Sequence, residues 1–253
     1  MDKKCLYVAF SNQKGGVGKS AFTTLLASHL HYAGNKNVAV IDCDYPQHSI
    51  FAMRERDKTM VNSNDFYKEM LVNQFGAINR KAYPIVTTQP ENAISVAKSL
   101  VKDSEMPLDV IFFDLSGTVF SAGILQSMMN MDYIFCPIIA DRLVMQSSLT
   151  FATTIQEYIQ RTPDTPLKNV YLFWNQIVKS EYKELYVAYN TIISNLKLSR
   201  LQTEIPFTIK YKKEMSPSNR QVFRSTLFPA SKALIKGTNL DALVDEICQT
   251  INI

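Results

Sequence analysis

Short apolar runs alternate along the chain with longer segments in which apolar residues recur at helical spacing. The short runs predict buried β-strands at residues 6–10, 38–41, 85–88, 110–113, 133–138, 170–174 and 201–205. The longer segments predict helices near residues 19–33, 64–80, 91–102, 119–131, 143–161, 182–197 and 239–250. Near-continuous apolar strands separated by helices are typical of a buried parallel sheet. We therefore predict an α/β fold with a doubly wound, mostly parallel sheet and helices on both faces.

The length and composition indicate a single domain spanning residues 1–253. Hydrophobic residues make up 46% of the chain, and no apolar run approaches the roughly 20 residues of a membrane span. The four cysteines lack metal-binding spacing, so we expect buried thiols rather than a disulfide or a zinc site. The chain enters its first predicted strand almost at once, which leaves no room for a signal peptide and predicts a cytoplasmic protein.

Residues 13–20 read Gln-Lys-Gly-Gly-Val-Gly-Lys-Ser and lie between the first predicted strand and the first predicted helix. This is the context of a phosphate-binding loop, in which backbone N–H groups and the positive end of the helix dipole face an anion. Lys19 can reach the β- and γ-phosphates there, and the Ser20 hydroxyl can ligate Mg²⁺. A chance glycine-lysine turn is the alternative, and the fixed pattern in this context argues against it.

The loop departs from the usual pattern, because Gln13 replaces its first glycine and a second lysine, Lys14, follows. This deviant Walker A form resembles the ATPases of the ParA and MinD family, which are P-loop NTPases that bind ATP or ADP with Mg²⁺. The resemblance implies that Lys14 reaches the nucleotide of a partner subunit across a homodimer, and that Lys14 and Lys19 are both catalytic. The nucleotide-binding residues that it implies in the loop are Lys14, Gly15, Gly16, Val17, Gly18, Lys19, Ser20 and Ala21.

Carboxylates follow two of the predicted strands, where the ligand crevice of a parallel sheet opens. Asp42 and Asp44 stand two residues apart, so one can help to hold Mg²⁺ while the other orients an attacking water. Asp114 ends an apolar run as in a Walker B strand, close to the same Mg²⁺. The family's Asp-x-Asp-Pro-Gln element, which residues 42–47 resemble, implies that Asp44 supports hydrolysis. The metal ligands are then Ser20, Asp42 and Asp114.

One departure from the family and further similarities to it lie later in the chain. Where the family usually has a Thr-Pro-Pro turn, residues 115–118 read Leu-Ser-Gly-Thr, and their glycine and small residues predict a switch that senses the γ-phosphate. Asn175 and Pro206 follow later strands, and the resemblance implies that they contact the adenine ring; a turn or capping role is the alternative for Asn175. Residues 140–148 resemble ParA-like proteins encoded in transfer regions of Bacteroidetes conjugative elements.

Positive charge is concentrated in residues 197–224. Seven cations stand there against Glu204 and Glu214, a net charge of +5 within a total of +4 for the chain. The cations are Lys197, Arg200, Lys210, Lys212, Lys213, Arg220 and Arg224. Such an asymmetry predicts an anionic partner, which the resemblance identifies as nonspecific DNA; a solvated basic surface is the alternative.

The resemblance implies an ATP-dependent switch. ATP drives formation of a homodimer, the dimer binds DNA at the nucleoid, and slow hydrolysis stimulated by a ParB-like or centromere-binding partner releases it. Such a protein segregates or positions plasmid, mobile-element or chromosomal DNA.

A MinD-like membrane-associated positioning ATPase is the alternative. The last predicted helix carries Asp241, Asp245 and Glu246, so we expect it to pack on the core and not on a membrane. Two other classes share the loop. A nitrogenase-like iron protein needs a cysteine in the segment directly after Asp114, and a tyrosine autokinase carries a C-terminal tyrosine cluster. The sequence has neither feature.

Overall fold

The computed structural model describes residues 5–115, 122–178, 183–218 and 220–253. Its strands are β1 (Leu6–Phe10), β2 (Val38–Cys43), β3 (Ile85–Thr87), β4 (Val110–Leu115), β5 (Tyr133–Ile138), β6 (Asn169–Trp174) and β7 (Ser199–Arg200). All are parallel and form one sheet in the order β3-β2-β4-β1-β5-β6-β7. The strand order reverses around β1, and the carboxyl end of a strand at such a point is the usual site of a ligand crevice.

The α-helices in the described ranges are α1 (Lys19–Tyr32), α2 (Ser49–Ser63), α3 (Asp65–Ile78), α4 (Ala93–Asp103), α5 (Ala122–Met129), α6 (Arg142–Arg161), α7 (Lys183–Asn195), α8 (Lys232–Ile235) and α9 (Leu240–Ile251). Each predicted helix has a counterpart, and the predicted parallel sheet is confirmed. Residues 116–118 of the predicted switch lie outside the described residues, as do the first residues of the helices predicted at 119–131 and 182–197. In the described part of the chain, no helix has the length and apolarity needed to cross a membrane.

The last strand is shorter than predicted. It ends at Arg200, and the prediction of a strand at residues 201–205 was wrong. The N–H groups of Gln202 and Thr203 donate to the Glu246 carboxylate of α9, at 2.6 and 2.8 Å. The N–H groups of Leu201 and Ile205 still donate to the β6 carbonyls of Leu172 and Trp174, at 2.8 and 2.9 Å, so the chain leaves β6 only between these two contacts, where Glu246 accepts its N–H groups.

Helix α2 has no counterpart among the predicted helices. Its buried side chains are Ile50, Met53, Arg54, Asp57 and Val61. These positions follow the helical repeat, but two of the five residues are charged. A pattern search for an apolar stripe misses such a helix, because charged side chains are ordinarily exposed.

Two apolar layers cover the two faces of the sheet. On β1, Ala9 belongs to the layer that includes α4, α5, α6 and α7, while Val8 and Phe10 belong to the layer with α1 and α9. This alternation follows from the two-residue repeat of a strand, whose successive side chains point to opposite faces. Leu243 and Ile247 of α9 are fully buried in the second layer, so α9 packs on the core as predicted.

A buried polar cluster joins α2 to the chain at Ser225 and Thr226. Asp57 Oδ2 accepts hydrogen bonds from Ser225 Oγ (2.9 Å), Thr226 Oγ1 (2.8 Å) and the Thr226 N–H (2.7 Å). Arg54 donates to Thr226 Oγ1 at 2.9 Å, and to the carbonyls of Thr226 and Tyr83 at 3.0 Å each. Because a buried charge is stable only when it is hydrogen-bonded or paired, this cluster holds Ser225 and Thr226 against α2.

The substitution Asp57→Asn tests the contribution of this cluster. It keeps the shape of the side chain but removes the charged acceptor of three hydrogen bonds, so we expect the free energy of unfolding to fall by about 3 kcal/mol. Glu55→Gln is the matched control, since Glu55 lies on the same helix and pairs with Lys58 at the surface; we expect a change below about 0.5 kcal/mol. Urea denaturation at pH 7 measures both, and similar losses in the two variants would contradict the assignment.

Candidate functional site

The loop between β1 and α1 turns through two glycines in the left-handed region. Gly16 has a φ of 77° and Gly18 a φ of 102°, conformations that other residues rarely adopt. A Cβ on Gly18 would also lie 3.0 Å from Asn175 Nδ2 and 3.0 Å from the ring of Phe22. Gly18 is the N-cap of α1 and offers no side chain to cap it, so the first N–H groups of the helix are left for an anion.

Two buried asparagines brace the loop. Asn12 donates two hydrogen bonds of 2.8 Å, to a carbonyl of β5 and a hydroxyl of α6, and its Oδ1 accepts the Lys14 N–H at 3.1 Å. Asn175 donates to the Val17 carbonyl at 2.9 Å, and its Oδ1 accepts the Gln176 N–H at 2.8 Å. Sequence reasoning did not identify Asn12, whose one signal is its position directly before the loop. Asn175, predicted to contact adenine, also holds the loop.

The two lysines of the loop lie in different surroundings. Lys19 Nζ donates to the Lys14 carbonyl across the loop, at 2.9 Å. Burial lowers the pKa of Lys19, and the carboxylates of Asp114 and Asp44 oppose that shift. The Lys14 side chain is exposed. Lys19 therefore adds positive charge inside the loop, whereas the Lys14 ammonium lies at the surface.

Asp114 is a buried carboxylate beside the loop. It is 1% exposed, and neither of its oxygens has a hydrogen-bond partner among the described residues. Burial raises the pKa of Asp114 to about 7; Asp42 and Asp44 add to the shift, while Ser20 and Lys19 oppose it. The Ser20 hydroxyl is near enough to affect the pKa without making a well-formed hydrogen bond to either oxygen. A carboxylate in this position favours a bound cation or a proton.

The register of the sheet puts Asp42 beside Asp114, since the two residues are partners in the β2–β4 pairing. Asp42 is fully buried, and its Oδ2 accepts the N–H groups of Ile50 and Phe51 at 2.9 and 3.0 Å. Its Oδ1 accepts the Asp44 N–H at 3.2 Å. Asp42 therefore caps the start of α2, a role that the sequence did not predict, and its contact with Mg²⁺ stays a prediction.

A cavity of about 540 Å³, the loop cavity, lies between the glycine loop and the turn after β2. Its lining residues are Gly15, Gly16, Gly18, Lys19, Ser20, Ala21, Asp44, Tyr45, Pro46, Gln47, Leu115 and Arg224. Six of them are predicted nucleotide-binding residues of the loop, and Asp44 is the predicted catalytic carboxylate. Backbone N–H groups at a helix start together with a lysine suit the phosphates of a nucleotide.

The oxygen donors around the loop cavity suit Mg²⁺. Ser20 lines the cavity, and the two oxygens of Asp114 are not engaged by any described residue. Mg²⁺ prefers oxygen ligands and commonly combines one or two protein groups with water and phosphate oxygens. Within the described residues, no group of three or more His, Cys, Asp or Glu side chains could hold a metal ion. A magnesium ion at Ser20 and Asp114 would therefore take its remaining ligands from water and the nucleotide.

A second cavity of about 280 Å³, the side cavity, adjoins the loop. Its lining residues are Gly16, Gly18, Ala21, Phe22, Asn175, Gln176, Pro206, Phe207, Thr208, Tyr211, Lys212 and Arg224. Both residues predicted to contact adenine, Asn175 and Pro206, are among them. Phe207 and Tyr211 supply aromatic surface to this cavity. The sequence analysis did not predict this role, because the feature that stands out in residues 197–224 is positive charge. An apolar cleft with a few polar groups suits a nucleoside.

The structure separates the predicted DNA-binding residues. Lys197 and Arg200 lie at the β7 edge of the sheet, where Lys197 is exposed and Arg200 Nη1 is 3.9 Å from the Glu204 carboxylate. Arg220 lies against α3, with its guanidinium carbon 5.3 Å from the centre of the Phe66 ring. These three cations therefore do not share one secondary-structure element.

The remaining four predicted DNA-binding residues lie nearer to the cavities. Lys212 and Arg224 line the side cavity, and Arg224 also lines the loop cavity. Lys210 Nζ donates to the Lys236 carbonyl at 2.7 Å, and Lys213 is half-buried. DNA contact by all seven residues stays a prediction, but two of them already belong to the candidate nucleotide site.

A comparison with protein families identifies the chain. The model of the CobQ/CobB/MinD/ParA nucleotide-binding domain matches residues 8–219, which is most of the chain. The protein belongs to this family, as the deviant loop predicted. A search of curated proteins found no match.

Solved structures share the fold at low sequence identity. A protein of Borrelia burgdorferi assigned to plasmid partition, bound to AMPPNP, is 16% identical with a TM-score of 0.59, and the match covers 98% of this chain and 100% of that one. MinD of Pyrococcus horikoshii with Mg-ADP is 14% identical with a TM-score of 0.60, over 98% and 96% of the two chains. Cobyrinic acid a,c-diamide synthase of Mycobacterium smegmatis, with an ATP analogue and magnesium, is 16% identical with a TM-score of 0.55, over 81% and 86%. These similarities establish the shared fold.

The raised pKa of Asp114 predicts a pH-dependent stability in nucleotide-free, magnesium-free protein. The folded-state pKa of about 7 lies above the ordinary value of 3.8, so the folded state binds the proton more tightly than the unfolded state. The protonated carboxyl group therefore stabilises the folded state at pH values below 3.8, and this stabilisation is lost as the pH rises through about 7. Asp114→Asn should remove that loss and raise the melting temperature above that of the wild type at pH 8, with the difference shrinking towards pH 4.

Thermal unfolding between pH 4 and pH 8 tests this expectation. Asp103→Asn is the control, because Asp103 is exposed at the end of α4 and its replacement should leave the pH profile unchanged. An Asp114→Asn profile parallel to that of the wild type would contradict the assignment.

Proposed function

We propose that this member of the CobQ/CobB/MinD/ParA family is a ParA-like ATPase, in which ATP drives dimerisation and the dimer binds nonspecific DNA. One observation carries the proposal: the Lys14 side chain is exposed although its backbone is held within the loop. The Lys14 N–H donates to Asn12, and its carbonyl accepts from Lys19. The Lys14 ammonium therefore extends to the surface from a backbone that is held in place by hydrogen bonds. A second copy facing this loop would meet that charge, which supports a nucleotide contact across a dimer.

The proposed chemistry is hydrolysis of the terminal phosphate of ATP. Lys19 offsets negative charge on the β- and γ-phosphates from inside the loop. Ser20 and Asp114 are the proposed magnesium ligands, and the bound ion would neutralise charge on the phosphates. Asp44 lines the loop cavity, and we propose that it orients the attacking water. Asp42 already accepts two N–H groups of α2 through Oδ2, which favours a contact with the magnesium shell through its other oxygen.

DNA binding and release complete the proposed cycle. Positively charged residues between 197 and 224 would neutralise DNA phosphates without reading base sequence. Two such surfaces on one dimer make the second contact effectively intramolecular, so dimerisation itself raises the affinity. We propose slow hydrolysis that a ParB-like or centromere-binding partner stimulates, with nucleoid association confined to the ATP state.

The packing of α9 supports the DNA-binding switch over a MinD-like membrane switch. Membrane attachment through an amphipathic helix needs an apolar face that is available to lipid. The apolar face of α9 is occupied, because Leu240, Leu243, Val244 and Ile247 are buried in the core. Acidic residues dominate the other face, where Asp241 and its neighbours would be repelled by anionic lipid.

A pair of lysine substitutions separates nucleotide binding from dimerisation. Lys19→Ala should abolish ATP binding in calorimetry, since it removes the cation inside the loop. Lys14→Ala should bind ATP but fail to dimerise in light scattering, since its exposed ammonium acts on the partner's nucleotide. An ATP dimer with normal turnover in Lys14→Ala would make Lys14 an ordinary surface residue.

Binding to random-sequence duplex DNA tests the switch directly. The wild type should bind only with ATP, and its affinity should fall about tenfold or more as salt rises from 50 to 200 mM. Combined replacement of Lys197, Lys213 and Arg220 by Ala should weaken DNA binding and spare ATP-driven dimerisation. None of these three residues lines the loop cavity or the side cavity.

The matched control replaces three exposed lysines that lie outside residues 197–224, the basic segment. They are Lys68, Lys98 and Lys102. Equal losses of DNA affinity in the two triple variants would show that total charge, and not the basic segment, governs binding. If the wild-type protein with ATP does not bind DNA but binds anionic vesicles, the result would favour the membrane switch instead.

A further inference from the structure

Arg224 occupies the junction of the two cavities. Only four described residues line both, namely Gly16, Gly18, Ala21 and Arg224. The first three belong to the glycine loop and the start of α1. Arg224 comes from a segment more than 200 residues later, and it is the one cation that the described lining of both cavities shares. Its charge therefore lies across from the loop, at the place where the nucleoside and phosphate parts of a nucleotide would meet.

The backbone around Arg224 is held on both sides. Before it, Phe223 is fully buried and packs edge-on against Tyr211, with ring centroids 4.9 Å apart. After it, Ser225 and Thr226 are buried in the polar cluster of α2. The N–H of Arg224 itself donates to the Lys213 carbonyl at 2.9 Å. With buried, anchored neighbours on either side, the Arg224 side chain is the part of this segment that faces the cavities.

The guanidinium of Arg224 is only partly paired. One amino group, Nη2, donates to Glu214 Oε1 at 2.5 Å. Glu214 is shared with Arg56 of α2, whose Nη2 lies 3.5 Å from its other oxygen. The Nε–H of Arg224 is buried and has no hydrogen-bond partner within the described structure. An arginine has five N–H donors, and a buried donor without a partner costs free energy.

We propose that Arg224 is a phosphate-contacting residue of the nucleotide site, acting within its own subunit from the side opposite the glycine loop. A phosphate oxygen is the acceptor that a planar guanidinium matches best, and the cavity that Arg224 faces is the one built for phosphates. Glu214 orients the guanidinium by holding one amino group. The proposal rests on nucleotide binding, the first step of the proposed function, and it takes Arg224 out of the set of DNA contacts.

Two arginines of the same basic segment allow a matched test. Arg224→Gln keeps most of the side chain and removes its charge, and Arg220→Gln makes the same change at an exposed position against Phe66. In calorimetry with Mg-ADP and Mg-ATP, Arg224→Gln should bind about 10- to 100-fold more weakly than the wild type. Arg224→Lys should recover part of that loss, because it restores the charge without the planar fork. Arg220→Gln should bind both nucleotides as the wild type does.

DNA binding at saturating ATP gives the second measurement. Arg224→Gln should match the wild type there, while Arg220→Gln should bind DNA more weakly. Thermal unfolding without nucleotide checks that the glutamine variant folds; if its melting temperature falls, Arg224→Lys replaces it in the comparison.

Wild-type nucleotide affinity in a folded Arg224 variant would overturn the proposal, most clearly if DNA binding is lost instead. A different set of results tests the proposed DNA-binding switch. A wild type that binds nucleotide but not DNA would overturn the switch and leave the Arg224 result standing, whereas a wild type that binds no nucleotide would overturn both.

Discussion

The buried carboxylate of Asp114 is the constraint around which the site is arranged. It lies one residue before the carboxyl end of β4, whose other residues are all apolar, and no described residue donates a hydrogen bond to it. Burial without partners raises its pKa, so the position is stable only with a proton or a cation nearby. The parallel register then places Asp42 level with Asp114 on β2 and Phe10 level with it on β1, directly before the loop. Lys19, Ser20 and Asp44 complete the candidate site, in which a bound cation and the phosphates of a nucleotide would balance one another.

A second line of contacts runs from that site through α2. Asp42 caps the first turn of α2, and two turns further Arg54 and Asp57 hold Ser225 and Thr226. The residue that precedes this anchored pair is Arg224, which faces both cavities. A strand end, a helix and a distant loop are thus connected by hydrogen bonds to buried charges. Such connections have few alternative geometries, so they restrict the position of Arg224 relative to the cavities.

The basic segment gains a divided role from this arrangement. Its positive charge is one feature in the sequence, but the fold turns Lys212 and Arg224 towards the cavities and leaves Lys197 and Arg220 exposed elsewhere. The same stretch of chain therefore contributes to the candidate nucleotide site and to the surface proposed to bind DNA. In the proposed switch, dimerisation links ATP to DNA affinity, and this segment lies beside both the candidate nucleotide site and the proposed DNA surface.

The sequence alone determined those features of the protein that depend on residues close to one another along the chain. The strand, glycine loop and helix at residues 6–32 follow from local periodicity and backbone freedom, and carboxylates at strand ends converge in any parallel sheet. Tertiary structure decided the rest. Helix α2 escaped prediction because its buried face carries Arg54 and Asp57, whose partners lie about 170 residues away. Regular pairing of the last strand ends at Arg200, and the next N–H groups, those of Gln202 and Thr203, donate to Glu246 of α9, which lies more than 40 residues away in the chain. Buried contacts of its neighbours place Arg224 at the loop cavity and the side cavity, and no local pattern predicts this, since the fold and not the neighbouring sequence sets the partners of a charged residue.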